Sequence, residues 1–301
     1  MKSILLLLFA TTTVFAGGRY HEDFHYSYPQ TPGGRFSLDG FNGTVEISGW
    51  DQNTVEITGT KFADSHDVLN AIRVEVSSTG NSVTVHTEHP EFHHFGRAGT
   101  TYVVHVPRRT ELEQIHSSNG ALRVDSIDGN CTLHTSNGSI QIHDVHGNVN
   151  GSSSNGLLDL ARVDGRMTLH TSNGGIHGDE VSGGIEGRTS NGSIRLRLRE
   201  SQTGDPIRLV TSNGSVELEM NSPRTNDVIA SSSNGSITVR MPESAAANLS
   251  AHTSGHNRVV TDFDVRVHGT ISKSRLDGVI GNGGPRMELT TSNGGIRLLK
   301  I

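Results

Sequence analysis

A tetrapeptide that recurs at a fixed interval constrains this chain more than any other feature. The sequence Ser/Thr-Ser-Asn-Gly starts at Ser117, Thr135, Ser153, Thr171, Thr189, Thr211, Ser232 and Thr291. The interval from Ser117 to Thr135 recurs unchanged up to Thr189, and the next two intervals are longer by four and by three positions. A period of this kind predicts a solenoid, in which each repeat buries its apolar face only against neighbouring repeats.

Apolar residues keep a constant phase around the tetrapeptide. In one unit Ile140 and Ile142 follow the motif with the alternation that is typical of a half-buried strand. Val145 comes three residues later, which breaks the alternation and predicts a bend. A Gly-containing turn follows, and a second strand with Val149 at an inward position leads into the next motif. Each unit is therefore predicted to contain two strands and two turns.

We predict an all-β fold, a parallel, right-handed β-solenoid over 117–301 with coils of about 18–22 residues. The extra residues of the longer units are placed in loops at Glu200–Pro206, Asn221–Asp227 and Pro242–Asn248. An antiparallel meander is the competing architecture, because Asn-Gly and Asp-Gly also favour two-residue hairpins. A meander would repeat at half the observed period, so the period favours the solenoid. A left-handed hexapeptide helix is set aside, because apolar residues do not recur every six positions.

Residues 17–116 are predicted to form a β-rich cap that contains a divergent first coil. Asn42-Gly43 is flanked by Phe36 and Leu38 and by Val45 and Ile47, in the phase of the later coils. One short helix is expected over Asp64–Ala71, with Asp64 or Ser65 as its cap. Further strands are expected at Ile72–Ser77, Ser82–Thr87, Thr101–Val106 and Leu112–His116. The stretch Phe263–Gly284 is interpreted as an insertion or a C-terminal cap. A degenerate motif copy, Thr253-Ser254-Gly255, follows the Ser232 motif in the chain.

The segment Met1–Ala16 is predicted to be a signal peptide. Lys2 precedes the apolar run that begins at Ile4, and the small residues around Ala16 place cleavage before Gly17. The run is too short to cross a bilayer, which favours cleavage over an uncleaved anchor, and no later run reaches the necessary length. We therefore expect an exported protein, periplasmic, secreted or on the cell surface, with no transmembrane segment after signal removal.

The net charge and the single cysteine argue against nucleic-acid binding and against a nucleophilic thiol. The net charge is −6, and it becomes −7 when Lys2 is removed with the leader. This mild acidity argues against nucleic acid as a partner, since nucleic-acid binding needs a basic face. Cys131 is the only cysteine and falls on an inward position, so we interpret it as a small hydrophobic residue.

The Ser-Asn-Gly motif has a structural and a ligand-binding interpretation. Calcium sites require carboxylate oxygens, and no carboxylate lies in or beside this motif. We therefore predict an internal ladder of stacked Asn amides, with the glycine supplying a positive φ for the turn.

Metal binding and catalysis are alternatives with weaker signals. A His-rich segment over 86–94 could bind Zn or Ni; it contains His86, Glu88, His89, Glu91, His93 and His94. His21, Glu22, Asp23 and His25 form a second group. The spacing matches no closed zinc motif. Asp144, Asp159 and Asp179 occupy different phases of their coils, so no acid–base pair is indicated. We assign no catalytic, cofactor-binding or metal-ligating residue. A polysaccharide hydrolase or lyase stays an alternative, which would require two carboxylates about 5–9 Å apart.

Three segments together resemble a known family. These are the lead-in Gly33–Asp39, the segment Asn42–Asp51 and the Ser-Asn-Gly repeats through Ile301. They are similar to the bacterial adhesin-like family of β-strand repeat proteins known as DUF4097. The resemblance implies a β-repeat architecture and transfers no site residue. We hypothesise a non-catalytic binding or structural module for an envelope or extracellular glycan or protein. Its contact surface would be formed by Gln141, His143, Arg195, Arg197, Glu217 and Glu219.

Overall fold

The computed structural model describes residues 19–89, 97–199, 205–221, 226–254, 257–267 and 272–301. These residues form β-strands and one short helix, α1 (His66–Ala71). The strands are β1 (Tyr20–Pro29), β2 (Gly34–Gly40), β3 (Val45–Trp50), β4 (Thr54–Ala63), β5 (Arg73–Thr79), β6 (Ser82–Glu88), β7 (Ala98–Pro107), β8 (Thr110–Ser117), β9 (Leu122–Ile127), β10 (Cys131–Thr135), β11 (Ile140–His146), β12 (Val149–Ser153), β13 (Leu158–Asp164), β14 (Met167–Thr171), β15 (Ile176–Val181), β16 (Ile185–Thr189), β17 (Ile194–Leu198), β18 (Ile207–Thr211), β19 (Val216–Met220), β20 (Val228–Ser232), β21 (Ile237–Met241), β22 (Ala247–Thr253), β23 (Val259–Thr261), β24 (Val265–Val267), β25 (Arg275–Ile280), β26 (Arg286–Thr291) and β27 (Ile296–Lys300).

The strands form two sheets that share one apolar core. Sheet A has the order β1-β4-β7-β3-β9-β11-β13-β15-β17-β19-β21-β27-β23. Sheet B has the order β24-β25-β22-β26-β20-β18-β16-β14-β12-β10-β8-β2-β6-β5. Within the repeats the pairing is parallel and in register, so that Cys131 lies beside Val149 and Thr135 beside Ser153. This pairing confirms the β-solenoid and rules out the antiparallel meander.

The core is built from the positions that the sequence pattern predicts. Ile140 and Val145 are fully buried, and Ile142 is 2% exposed. Each lies above and below apolar residues of the neighbouring coils, so every coil removes its neighbours' apolar surface from water. Cys131 belongs to the same core, and burial raises the pKa of its thiol to about 12. The cysteine is therefore a protonated packing residue, as its phase predicts.

The predicted bend is a single residue in the left-handed region of φ. Ser126, Asp144, Arg162 and Glu180 have φ of 60, 55, 53 and 53° at equivalent places in four successive coils. One left-handed residue changes the direction of the strand. As a result, the apolar residue three positions after the last alternating one also points inward. The next coil has no left-handed residue at this place. Its inward residue Leu198, on β17, follows the alternation and pairs directly with Val181 of β15.

The N-terminal region contains a coil and a short helix, and its coils do not stack in chain order. Strands β2 and β3 form a coil whose register matches the repeats, as Leu38 beside Ile115 shows. However, this coil lies between β6–β7 on one side and β8–β9 on the other. The helix begins after Ser65, whose hydroxyl accepts the N–H of Val68. Strand β1, which the sequence pattern did not predict, pairs antiparallel with β4 and closes the end of sheet A.

At the C-terminal end, too, one coil lies between two coils that are not its neighbours in chain order. Strands β26 and β27 insert between the β20–β21 coil and the β22–β23 coil. Thr291 therefore lies between Ser232 and Thr253, so the coils at this end do not stack in chain order. Strands β24 and β25, which lie within the stretch that was interpreted as an insertion or a C-terminal cap, pair antiparallel at the end of sheet B. The last coil is held on both sides by parallel strands.

Candidate functional site

The first residue of each motif ties one coil to the coil before it. The buried hydroxyl of Thr171 donates to the carbonyl oxygen of Gly156 at 3.0 Å. The same bond recurs along the stack, for example from Thr135 to Gly120 at 3.0 Å. A buried carbonyl without a partner is costly, so this hydroxyl explains why the position is always Ser or Thr.

The asparagines form a continuous ladder, as predicted, but it lies on the surface rather than inside. Each Nδ2 donates to the Oδ1 of the preceding rung, as Asn173 does to Asn155 at 2.7 Å. The rungs are Asn42, Asn119, Asn137, Asn155, Asn173, Asn191, Asn213, Asn234 and Asn293. Each amide between the two end rungs uses a donor and an acceptor on its neighbours, so the ladder is a stacking element.

The glycine of the motif has a different role from the predicted one. Positive φ is absent from these glycines in the described residues, so the expected backbone reason was wrong. The reason is close approach, because a Cβ on Gly174 would lie 1.9 Å from the carbonyl oxygen of Gly156. On Gly156 it would lie 1.7 Å from the oxygen of Gly138. Only glycine lets the coils stack at this corner.

A shallow charged groove lies on the outer face of sheet A, on the strands β13 to β21. It has a volume of 340 Å³, and we call it the charged groove. Its charged side chains are Asp159, His177, Asp179, Arg195, Arg197, Glu217, Glu219 and Arg240. It lies where the shorter coils with a left-handed bend give way to longer coils without one.

Acidic and basic side chains alternate across the charged groove. Arg197 binds Asp179 with two nitrogens, Nε to Oδ1 at 2.5 Å and Nη2 to Oδ2 at 2.8 Å. Both bonds to the carboxylate raise the pKa of Arg197 above its usual value. Arg195 donates to Glu217 at 3.1 Å. The side chains of Arg240 and Glu219 form no hydrogen bond or ion pair with any residue that the structure describes. The groove thus has a fixed charge pattern with one available cation and one available carboxylate.

The predicted contact residues all lie on this face. Arg195 and Arg197 on β17 and Glu217 and Glu219 on β19 line the charged groove. Gln141 and His143 lie on the same face on β11, the strand next to the groove, where His143 contacts Asp125 at 2.6 Å. The predicted contact residues did not include Asp159, His177, Asp179 and Arg240. The sequence pattern places these residues on the outward side of their strands. It does not show the change of coil type that forms the groove.

The His-rich segments are only partly described. His86 and Glu88 end β6, and His89 stacks on Phe41 with ring centroids 4.1 Å apart. Glu91, His93 and His94 lie outside the described residues. His21, Glu22, Asp23 and His25 lie on β1, where His25 contacts Glu56 and Asp23 accepts from Thr60. Within the described ranges, no three His, Cys, Asp or Glu side chains are arranged to hold one metal ion.

Comparison with known proteins identifies one sequence family. The model of the family described as Toastrack DUF4097 matches residues 36–299. No curated protein matches the chain. In the described part of the chain, no helix is long and apolar enough to span a membrane.

Three solved structures show detectable likeness at low identity. A proposed adhesin from Parabacteroides distasonis is 13% identical, with 95% of this chain and 98% of that chain covered and a TM-score of 0.39. A proposed adhesin from Bacteroides fragilis is 12% identical, with 93% and 97% covered and a TM-score of 0.38. A proposed cell adhesion protein from Clostridium sporogenes is 10% identical, with 93% and 100% covered and a TM-score of 0.24. These TM-scores are too low to support a conclusion about function.

Proposed function

This chain belongs to the Toastrack DUF4097 family, and we propose that it is an exported, non-catalytic module that binds an envelope or extracellular glycan or protein. The observation that supports this proposal is the charged groove on a flat face of stacked strands. Export rests on the predicted signal peptide, which lies outside the described residues.

The charged groove is suited to binding because two of its three arginine side chains are already held in place. Arg197 is fixed by two bonds to Asp179, and Arg195 by one bond to Glu217. Their strands are parallel and in register, with Arg195 beside Glu217 and Arg197 beside Glu219. A partner would therefore lose little affinity to ordering of the groove. Arg240 and Glu219 supply a donor and an acceptor for polar groups of the partner.

Binding through the charged groove has a matched control on the other face. We expect the double variant Arg195→Gln/Arg240→Gln to bind the glycan or protein partner at least about tenfold more weakly, because two of the three groove guanidiniums are lost. Arg188→Gln/Arg208→Gln removes the same charge from the outer face of sheet B and should bind as the unmodified protein does. Surface plasmon resonance against immobilised peptidoglycan, capsular polysaccharide and envelope proteins would measure both.

Two outcomes would contradict this proposal. One is equal loss of affinity in the groove variant and in the sheet B control. The other is the absence of saturable binding to any of the three immobilised probes, which would leave only a scaffold role for the solenoid.

A second candidate function rests on Glu217 and Glu219. They lie two residues apart on β19, both in the charged groove, so their positions on the strand are about 6.6 Å apart. Inverting glycosidases hold their two carboxyl groups about 6.5–9.5 Å apart, and two glutamates whose Cα atoms have this spacing can reach that range. Release of reducing ends from a polysaccharide, abolished in Glu219→Gln, would establish hydrolysis. Binding without product release supports the non-catalytic proposal.

A further inference from the structure

A row of imidazoles crosses the outer face of sheet B, on the side opposite to the charged groove. We define the imidazole row as His86, Asp39, His116, His134 and Ser152. Strand pairing makes each of these residues the direct neighbour of the next across five adjacent strands, β6, β2, β8, β10 and β12. The side chains lie far apart in sequence, from 39 to 152, so no spacing motif could reveal the row.

Asp39 orients the two imidazoles beside it. Its Oδ1 accepts from Nδ1 of His116 at 2.7 Å, and its Oδ2 lies 3.2 Å from Nδ1 of His86. An ionised carboxylate can only accept, so Nδ1 of each neutral imidazole carries the hydrogen. Nε2 then keeps its lone pair. Carboxylates that hold the other ring nitrogen in this way are a recurrent feature around metal-binding histidines.

His134 is held in a comparable way beside His116. Its Nδ1 lies 2.7 Å from Oγ of Ser152, which can accept the hydrogen and leave Nε2 as the free nitrogen. The rings of His116 and His134 are stacked, with centroids 5.4 Å apart and planes at 19°. Two imidazoles bound to one zinc ion at Zn–N distances of about 2.0–2.1 Å and a tetrahedral angle have centroids roughly 5 Å apart. The observed centroid separation of 5.4 Å is close to this value.

From this geometry we propose that His116 and His134 bind a divalent transition-metal ion through their Nε2 atoms, with Asp39 and Ser152 as positioning residues. Zinc and nickel are the ions that imidazole nitrogens suit. Two protein ligands leave the remaining coordination positions to water or to a ligand atom from a partner. This site differs from the His-rich segment 86–94 and departs from the expectation that no residue binds metal.

Calorimetric titration of the full mature chain with zinc chloride, and separately with nickel chloride, tests the proposal. We expect one saturable site at pH 7.5. His116→Gln and His134→Gln should each weaken binding at least about tenfold, and Asp39→Asn about 10–100-fold. His170→Gln is the matched control, since His170 lies on sheet B beyond Ser152 and should leave the affinity unchanged. Long-range nitrogen correlation spectra should assign the bound nitrogens as Nε2.

Two results would contradict the proposed metal site. Metal binding that survives His134→Gln belongs to another part of the chain, including the segment 86–94, and overturns the site. The absence of saturable heat in the unmodified protein does the same. Circular dichroism of each variant, all at exposed or half-buried positions, separates loss of a ligand from loss of the fold.

Discussion

Gly174→Ala is expected to destabilise the protein by at least about 3 kcal/mol, the upper range for overpacking a closely packed site. The new Cβ would lie 1.9 Å from the carbonyl oxygen and 2.5 Å from the carbonyl carbon of Gly156 in the preceding coil. Backbone atoms cannot rotate away as a side chain can. The two coils must separate locally, which weakens the Thr171 and Asn173 bonds at the same corner. Urea unfolding followed by circular dichroism would measure the loss.

The next residue in the chain provides the control for this prediction. A Cβ on Gly175 would meet its nearest atoms at 3.1 and 3.4 Å, and other coils have serine there. Gly175→Ser should therefore change the free energy of unfolding by less than about 1 kcal/mol. If both variants are equally stable, close stacking is not the reason for the motif glycine. If Gly174→Ala yields no folded protein while Gly175→Ser does, the prediction also holds.

Leu169→Ala is expected to cost about 4 kcal/mol, near the upper end of the range for buried leucines. Leu169 is 1% exposed, and its strand neighbours on both sides are glycines, Gly151 and Gly187. Glycine has no side chain that could move into the space, so the cavity stays open. The denaturation midpoint should fall without a change in the dependence on urea.

Partial refilling of the cavity tests the same explanation. A Cβ on Gly151 would lie 3.4 Å from Leu169 Cδ2, an ordinary contact. Gly151→Ala should therefore be tolerated alone and should recover about 1 kcal/mol when combined with Leu169→Ala. Strict additivity of the two changes would show that the site collapses by another route. Leu169→Met, which conserves volume, should cost less than about 1.5 kcal/mol.

The local unit was predictable because each coil repeats the same physical constraints. Alternation around the motif identified the inward residues, and the three-residue step to Val145 identified the bend whose left-handed residue is Asp144. The Asn ladder followed from stacking identical amides in register. The predicted reason for the motif glycine, a positive φ, was wrong. The actual reason is the short distance between coils at that corner, which is a property of the stack and not of one turn.

The order of the coils was not predictable from local patterns. Thr291 lies between Ser232 and Thr253, so the last coil fills a space that the chain leaves open and later returns to. The same holds for β2–β3 at the other end. The charged groove and the imidazole row depend on which strands become neighbours. His86, Asp39 and His116 meet only because β6, β2 and β8 are adjacent.

The central claim is that the Ser-Asn-Gly motif holds the coils together and leaves binding to the faces of the sheets. The free energy of unfolding of Asn173→Ala, measured against Asn150→Ala, tests this claim most directly. Asn173 donates to Asn155 at 2.7 Å and accepts from Asn191 at 2.8 Å, whereas Asn150 is exposed on sheet B. We expect a loss of at least about 1 kcal/mol for Asn173→Ala and less than about 0.5 kcal/mol for Asn150→Ala. Equal values would contradict the stacking role of the motif.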